Sequence, residues 1–167
     1  RKVGTDDTSE VQYDIHYVYN IYGELSWVIT PEGSAMLSDG ASYTPKSELA
    51  EKYCYLYRYD GMGNVVEKRQ PGREVEYFVY DKGKRQVLYQ DGNMRTNDQW
   101  VYSVWDNLNR EAEKSLVSTS LSREQLQQAY YSTLYNNTYG ECPVPDSEFS
   151  HIAELSTRRY YGYSYGS

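Results

Sequence analysis

Hydrophobic and polar residues alternate along several stretches of the chain with the two-residue period of a β-strand. The longest stretch covers residues 11–19, where we expect one continuous strand. Residues 53–59 and 100–105 follow the same pattern, with Tyr or Trp at many of the alternating positions. Turn signals bound these stretches at residues 31–33, 71–72 and 91–92. The pattern therefore predicts a mainly β fold with tight turns between short strands.

A six-residue segment recurs four times along the chain and superimposes without gaps. We name the four copies turn 1 to turn 4, which cover residues 19–24, 59–64, 80–85 and 105–110. Their first residues are 40, 21 and 25 positions apart. A strand follows each copy, so the regular unit is a β-hairpin. Because one hairpin cannot bury a face alone, such units are expected to stack into a continuous sheet.

Three positions of the segment carry residue types that a hairpin turn requires. The first position is a large aromatic residue that ends a strand: Tyr19, Tyr59, Tyr80 and Trp105. The second has a short polar side chain that can cap the turn backbone: Asn20, Asp60, Asp81 and Asp106. The fifth position is Gly23, Gly63, Lys84 and Asn109. Gly and Asn tolerate a left-handed backbone, whereas at turn 3 we expect Gly83 to adopt it one residue before Lys84.

Residues 34–52 form a first insertion that lacks the repeat pattern. Thr44 followed by Pro45 is typical of a helix N-cap with proline at the first helical position. We therefore predict a short helix over residues 46–52.

A second insertion covers residues 118–155. Ser122 and Gln125 have the spacing of a capping box, which predicts a helix from about Arg123 to Tyr135. Its apolar face consists of residues at helical spacing: Leu126, Ala129, Tyr130 and Leu134. A second short helix is predicted over 148–155, with its apolar residues inward: Phe149, Ile152 and Ala153.

The predicted fold class is mainly β with short helices, a β-rich α+β fold. Antiparallel β-hairpin repeats over residues 1–117 form a curved sheet, interrupted by the helical insertion at about 34–52. Residues 118–155 add the second helical insertion, and 156–167 form a terminal strand or tail. Since the chain begins with Arg1 rather than Met, we expect it to be a segment of a longer protein.

Composition supports sheets with thin cores and tyrosine-covered faces. The chain of 167 residues contains 21 Tyr, and its mean hydropathy is −0.84. Tyr has a high strand propensity and keeps its hydroxyl near water while its ring packs. No apolar stretch is long enough for a membrane span. The net charge of −7 lacks a concentrated basic face, so we do not expect nucleic-acid binding.

No catalytic motif is visible in the sequence, and we expect the protein not to be an enzyme. His16 and His151 are the two histidines, and neither has a nucleophile or metal ligand at motif spacing. No metal site or cofactor is predicted, because clustered ligand residues and nucleotide-binding motifs are absent from the sequence. Cys54 and Cys142 lack CxxC spacing and form either one disulfide or two buried thiols.

Aromatic residues on the strands suggest a binding surface. Exposed rings aligned along a sheet stack against sugar rings or peptide side chains, and tyrosine hydroxyls add hydrogen bonds. The candidate binding residues are Tyr55, Tyr57, Tyr77, Tyr89, Trp100 and Tyr102. The alternative is that these rings only cover the sheet and pack between neighbouring hairpins.

The recurring Tyr-Asp-x-x-Gly pattern, as in Tyr59 to Gly63, resembles the YD repeat of RHS proteins. The stretch from Tyr53 through Gly72, continuing to Asp91-Gly92, is most similar to RHS proteins of Bacteroidetes. The resemblance covers residues 13–33 and 53–117 and leaves both insertions outside it.

The resemblance implies a β-sheet that winds into a large hollow shell, in a secreted or cell-surface protein. In this family such shells commonly enclose a C-terminal toxin domain or serve in contact between cells, and sugar binding has also been suggested. We therefore expect a non-catalytic structural scaffold segment whose partners are other repeats of its parent chain. The alternative is a carbohydrate- or protein-binding module. Exposed strand edges also predict self-association.

Overall fold

The computed structural model describes residues 2–6, 9–36, 44, 47–106, 108–132, 142–144 and 147–157. The chain forms two compact units, residues 1–76 and residues 77–167. Both are built mainly from antiparallel strands, with a few short helices, so the predicted fold class is confirmed. No helix within the described ranges has the length and apolar character that crossing a membrane requires.

The first unit contains a small hairpin and a larger antiparallel sheet. Strands β1 (Lys2–Asp6) and β2 (Ser9–Tyr13) pair with each other. The larger sheet has the order β3-β4-β5-β6, which follows the chain: β3 (His16–Tyr19), β4 (Leu25–Ile29), β5 (Cys54–Tyr59) and β6 (Val65–Arg69). The prediction of one continuous strand over residues 11–19 is therefore wrong. Asp14 and Ile15 interrupt it, since β2 pairs with β1 whereas β3 pairs with β4.

Two short helices, α1 (Pro31–Ala35) and α2 (Glu48–Tyr53), lie between β4 and β5. The sequence predicts only a turn at residues 31–33. Thr30, however, caps α1 by accepting from the Gly33 N–H, and Pro31 occupies the first helical turn. The cap predicted for α2 is also wrong, because Ser47 rather than Thr44 accepts from the Ala50 N–H.

The register of the first unit's sheet separates an apolar face from a tyrosine face. Directly opposite residues share a face. Val18, Trp27, Leu56 and Arg69 form a row on one face. Tyr17, Val28 and Tyr55 form a row on the other. The small core consists of Ile29, Ala50 and Cys54, with Trp27 against it.

The second unit is a five-stranded antiparallel sheet with two helices. Its strand order is again the chain order: β7 (Glu76–Tyr80), β8 (Gln86–Gln90), β9 (Gln99–Trp105), β10 (Glu111–Ser118) and β11 (Ser150–Thr157). Helix α3 (Gly92–Arg95) is capped by Asp91, where the sequence suggests only a turn. Helix α4 (Arg123–Tyr131) has the predicted capping box between Ser122 and Gln125. It ends at Tyr131, and residues 133–135 of its predicted extent lie outside the described residues.

The helix predicted over residues 148–155 is wrong, because β11 covers Ser150–Thr157 instead. This segment pairs along β10, and such non-local pairing overrides a weak helical pattern of short length. Of the three residues predicted to face inward, only Phe149 is buried, whereas Ile152 and Ala153 are exposed. Phe149 joins the core of the second unit, which also contains α4 residues Leu126 and Tyr130.

Candidate functional site

The four recurring turns have one backbone geometry. In each turn the N–H of the second residue donates to the carbonyl of the sixth, and the N–H of the fifth donates to the carbonyl of the second. In turn 1 these bonds are 2.9 Å (Asn20 to Glu24) and 3.0 Å (Gly23 to Asn20). The register of the flanking strands shifts at every turn. This is a three-residue hairpin loop closed by a β-bulge, and all four predicted turns are present.

The Asp or Asn at the second position caps each turn from within. Asn20, Asp60 and Asp106 each accept from the backbone N–H groups two and four residues later, at 2.9–3.0 Å. Asp81 accepts from the Arg85 N–H at 2.9 Å. These contacts satisfy backbone donors that the bulge leaves outside the strand ladder.

The side chain at the sixth position binds the side chain at the second position in every turn. The four pairs are Asn20–Glu24 at 2.7 Å, Asp60–Asn64 at 2.9 Å, Asp81–Arg85 at 2.6 Å and Asp106–Arg110 at 2.7 Å. Sequence reasoning identifies the sixth position only as polar, and misses this pairing. The signal was the presence of a matching donor or acceptor four residues after each Asp or Asn.

The fifth residue of every turn has a left-handed backbone. Its φ is 79° at Gly23, 80° at Gly63, 61° at Lys84 and 60° at Asn109. The expectation that Gly83 replaces Lys84 in this role is wrong. The turn's hydrogen bonds fix the left-handed position at the fifth residue, so Lys84 adopts a conformation that is unfavourable for a side chain with a Cβ.

An aromatic side chain connects neighbouring hairpins within each unit. The Tyr59 hydroxyl of turn 2 donates to the Leu25 carbonyl at 2.9 Å, and the Trp105 indole N–H of turn 4 donates to the Gln86 carbonyl at 2.8 Å. Leu25 and Gln86 are equivalent, since each follows directly after the preceding turn. We call this contact the aromatic brace. It explains why the first position of turns 2 and 4 is Tyr or Trp, which have a polar donor that Phe lacks.

Charged groups reinforce the contact between turns 3 and 4. Arg85 donates from Nη1 to the Asp106 carbonyl and to Asn109 Oδ1, both at 3.3 Å. Burial acts to raise the pKa of Asp106, but hydrogen bonds from the backbone and guanidinium of Arg110 and from Leu108 outweigh it and lower that pKa. The carboxylate therefore stays ionised, as its capping role requires.

The environment of Tyr59 favours the neutral phenol. Burial raises the pKa of Tyr59, and the nearby Glu24 and Tyr57 raise it further. A neutral hydroxyl is the form that donates the aromatic brace in the first unit.

The structure divides the six candidate binding residues into buried and accessible ones. Trp100 and Tyr102 lie in the core of the second unit at 2% and 5% exposure, so the expectation that their rings form a surface is wrong. Tyr77 packs against that core and stacks on Arg95. Tyr89 is half-buried and contacts Phe78.

The remaining two candidates, Tyr55 and Tyr57, lie in the first unit. Tyr55 is exposed and Tyr57 is half-buried. Tyr55 belongs to the row that also contains Tyr17 and Val28, so an accessible tyrosine face exists in this unit.

The two histidines lie on different strands, His16 on β3 and His151 on β11, and have different surroundings. His16 is exposed and hydrogen-bonds Ser34 Oγ at 2.7 Å. His151 lies on β11 rather than in a helix, near Ser115 Oγ at 3.4 Å and against the rings of Tyr102 and Phe149. Among the described residues, no three His, Cys, Asp or Glu side chains come together as metal ligands would.

Both cysteines are free thiols, so the disulfide alternative is wrong, and of the two thiols expected to be buried only Cys54 is fully buried. Cys54 is fully buried in the core of the first unit, and burial raises the pKa of its thiol against the opposing charge of Arg69. Cys142 is half-buried, and its Sγ lies 3.8 Å from the Tyr130 hydroxyl in a long hydrogen bond in which either atom can be the donor.

The chain matches no family model and no curated protein. The site is characterised by its geometry: four equivalent turns, with an aromatic brace observed within each unit.

Proposed function

We propose that this chain is a non-catalytic scaffold segment, built from hairpin repeats that extend a β-sheet by adding further repeats. The observation that carries the proposal is the equivalence of the two aromatic braces. Tyr59 reaches Leu25 and Trp105 reaches Gln86 through the same positions of the repeat. In repeat proteins each repeat contacts its neighbour through the same interface, and a contact that recurs at equivalent positions is such an interface.

The outer strand of the first unit supports the same proposal. All four residues of β3 are exposed, including the apolar or aromatic Tyr17, Val18 and Tyr19. An exposed strand with apolar side chains is a template for pairing with another strand. Tyr19 also occupies the position from which Tyr59 and Trp105 donate their braces. A hairpin added beside β3 would therefore receive both backbone pairing and a brace from Tyr19.

Sedimentation of the whole chain over a range of concentrations tests this proposal, because a second copy can act as the added hairpin. We expect concentration-dependent association that Val18→Lys abolishes, since a lysine on an edge strand opposes pairing. The matched control is Met62→Lys, because Met62 in turn 2 is similarly exposed at 41% against 43% for Val18. Edge pairing would be contradicted by a natural chain that stays monomeric at high concentration, or by equally strong association of the Val18→Lys variant.

The resemblance of the turns to YD repeats of RHS proteins provides the biological setting of the proposal. On that basis we assign the segment to a secreted or cell-surface protein, in which its partners are other repeats of the parent chain. The scaffold needs no cofactor and no nucleic acid, because pairing and braces use only backbone and tyrosine or tryptophan side chains.

A binding module is the second candidate, and the tyrosine face of the first unit favours it. Tyr17 and Tyr55 lie on either side of Val28 in one cross-strand row and are both exposed. Such a row can stack on sugar rings or on side chains of a partner protein. Titration with a panel of oligosaccharides, compared between the natural chain and Tyr55→Ala, tests the carbohydrate form. Equal signals from both chains would exclude Tyr55 as a contact residue.

A further inference from the structure

Arg69 is a buried cation in an unusual position at the end of β6. Its side chain is only 7% exposed, and it lies directly opposite the buried Leu56 in the apolar row of the first unit. Its positive charge acts to lower the pKa of the buried Cys54 thiol, although the larger effect of burial raises that pKa overall. A charged side chain is rarely found in such surroundings unless it is paired and hydrogen-bonded.

The guanidinium of Arg69 has too few partners for its burial. Nη1 is 3.6 Å from Glu51 Oε1, a long contact to a carboxylate that is itself 58% exposed. Nε and Nη2 are fully buried and have no hydrogen-bond partner among the residues that the structure describes. Leaving buried donors of a charged group unmet is strongly unfavourable, so this site is incomplete without an acceptor.

Arg69 is one of the residues that line a surface pocket of about 380 Å³, which has space for an acceptor although Nε and Nη2 themselves are covered. The pocket is lined by Glu48, Glu51, Lys52, Arg69, Arg73 and Glu74, together with Gly72 and Val75. Of the six charged residues, five are exposed at the rim and only Arg69 is buried. Solvent and salt screen the rim charges, whereas the buried guanidinium keeps most of its attraction for an anion.

We propose that this pocket binds a carboxylate through the Nε and Nη2 edge of Arg69. The two N–H groups on that edge are parallel and match the two oxygens of a carboxylate or phosphate. Screening weakens the rim charges but does not change their balance, in which three glutamates outnumber Lys52 and Arg73. The rim therefore repels a doubly charged phosphate more than a singly charged carboxylate, and this difference favours the carboxylate. Binding displaces Glu51 from its long contact, and the guanidinium then turns its free edge toward the pocket.

The test follows the Nε–H signal of Arg69 by NMR during titration of the whole chain with sodium acetate. Arg69→Lys identifies the signal, and assignment through the side-chain carbons replaces it if that variant does not fold. We expect a saturable shift in the millimolar range with acetate and none with sodium chloride at equal ionic strength. Arg58→Lys is the matched control, since Arg58 is 57% exposed on the neighbouring strand and should leave the titration unchanged.

Two further comparisons separate a binding site from a structural arginine. Glu51→Gln removes the competing carboxylate and should strengthen acetate binding by up to about fivefold, the range of an exposed ion pair. Titration with a capped peptide that contains one glutamate is compared with the acetate titration. Tighter binding of the peptide would identify an acidic peptide as the ligand, and tighter binding of acetate would identify a free organic acid; either result supports the site. Tighter binding of inorganic phosphate would overturn the choice of carboxylate. Equal, unsaturable shifts with acetate and chloride would overturn the site itself.

Discussion

The hairpin β3–β4 and the hairpin β9–β10 have the same turn and very different burial. Turn 1 and turn 4 share both backbone hydrogen bonds at 2.9–3.0 Å and the left-handed fifth residue. Yet β3 is exposed along its whole length, whereas β9 and β10 contribute Trp100, Tyr102 and Val117 to the large core of the second unit. The turn is therefore set by local chemistry, and burial is set by what packs on the strands.

The second insertion accounts for most of this difference. It supplies α4, whose Leu126 and Tyr130 are fully buried, and the segment with Phe149 that leads into β11. In the described part of the first insertion, α2 contributes Ala50 to a core of three buried residues. Both units use the same turn. We therefore expect that a substitution at a buried position lowers the free energy of unfolding more than the same substitution at the equivalent exposed position.

Asp81→Ala and Asn20→Ala replace the second residue of turn 3 and of turn 1. Of all the substitutions considered, Asp81→Ala should reduce the free energy of unfolding most. Asp81 is 1% exposed and binds both the backbone N–H and the guanidinium of Arg85. Removing it takes the carboxylate away from the largely buried Arg85 guanidinium, whose Nη1 keeps its contacts with the Asp106 carbonyl and Asn109. The free energy of unfolding should therefore fall by about 3 kcal/mol, the lower end for breaking a buried ion pair. Asn20 occupies the same position in a more exposed turn, and its loss should cost about 1 kcal/mol.

Urea unfolding of the two variants measures this difference, with amide hydrogen exchange reporting each hairpin separately. Equal losses would mean that the capping bonds alone, rather than the buried ion pair, determine the stability of these turns.

Val117→Ala and Val18→Ala compare one residue type in the two hairpins. Val117 on β10 is fully buried, so its truncation should cost about 2–3 kcal/mol through lost burial and the cavity that remains. Val18 on β3 is 43% exposed, and the same change should cost less than about 0.5 kcal/mol. Thermal unfolding followed by circular dichroism provides the measurement. The small loss is expected for the single chain; a loss from Val18→Ala that grows with protein concentration would indicate that another copy covers β3, as the proposed edge association predicts.

The sequence predicts the turns and the start of α4 because their causes are local. Asp or Asn at the second position and the capping box at Ser122 and Gln125 act within a few residues. It does not predict that Trp100 is buried or that residues 150–157 form a strand, since both depend on segments distant in the chain.

The aromatic brace and the buried Arg69 fall outside sequence prediction for the same reason. Tyr59 reaches a carbonyl 34 positions earlier, and nothing in the sequence around Tyr59 specifies that partner. Arg69 lies in a charged stretch that suggests a solvated strand, and its burial follows from its register opposite Leu56.

Tyr59→Phe tests the brace with the loss of a single oxygen atom. The change should cost about 1 kcal/mol at neutral pH, because the Leu25 carbonyl loses its donor. Tyr22→Phe, at the highly exposed tip of turn 1, should have almost no effect and serves as the control.

The difference between the natural chain and Tyr59→Phe should also depend on pH. The pKa of Tyr59 is raised in the folded chain, so its contribution is fully present below the unfolded pKa of about 10. It should disappear as the pH rises through the higher folded pKa, where the phenolate can no longer donate. A difference in unfolding free energy that persists unchanged above that range would exclude the hydroxyl as its source.

Lys84→Gly should change the free energy of unfolding only slightly, and it is the one substitution in this comparison that we expect to stabilise the chain. Lys84 has a φ of 61°, which costs a residue with a Cβ about 1–2 kcal/mol, while glycine's extra freedom in the unfolded chain offsets about 1 kcal/mol. We therefore expect a gain of about 0.5 kcal/mol in urea unfolding. Gly63→Ala is the reverse experiment, because a Cβ at Gly63 meets only Glu24 at an ordinary 3.6 Å and its cost comes from the backbone alone. Stabilisation by Lys84→Gly together with destabilisation by Gly63→Ala would establish that the fifth position constrains every turn, whatever its burial. A loss in both variants would mean that contacts of the Lys84 side chain outweigh its backbone strain.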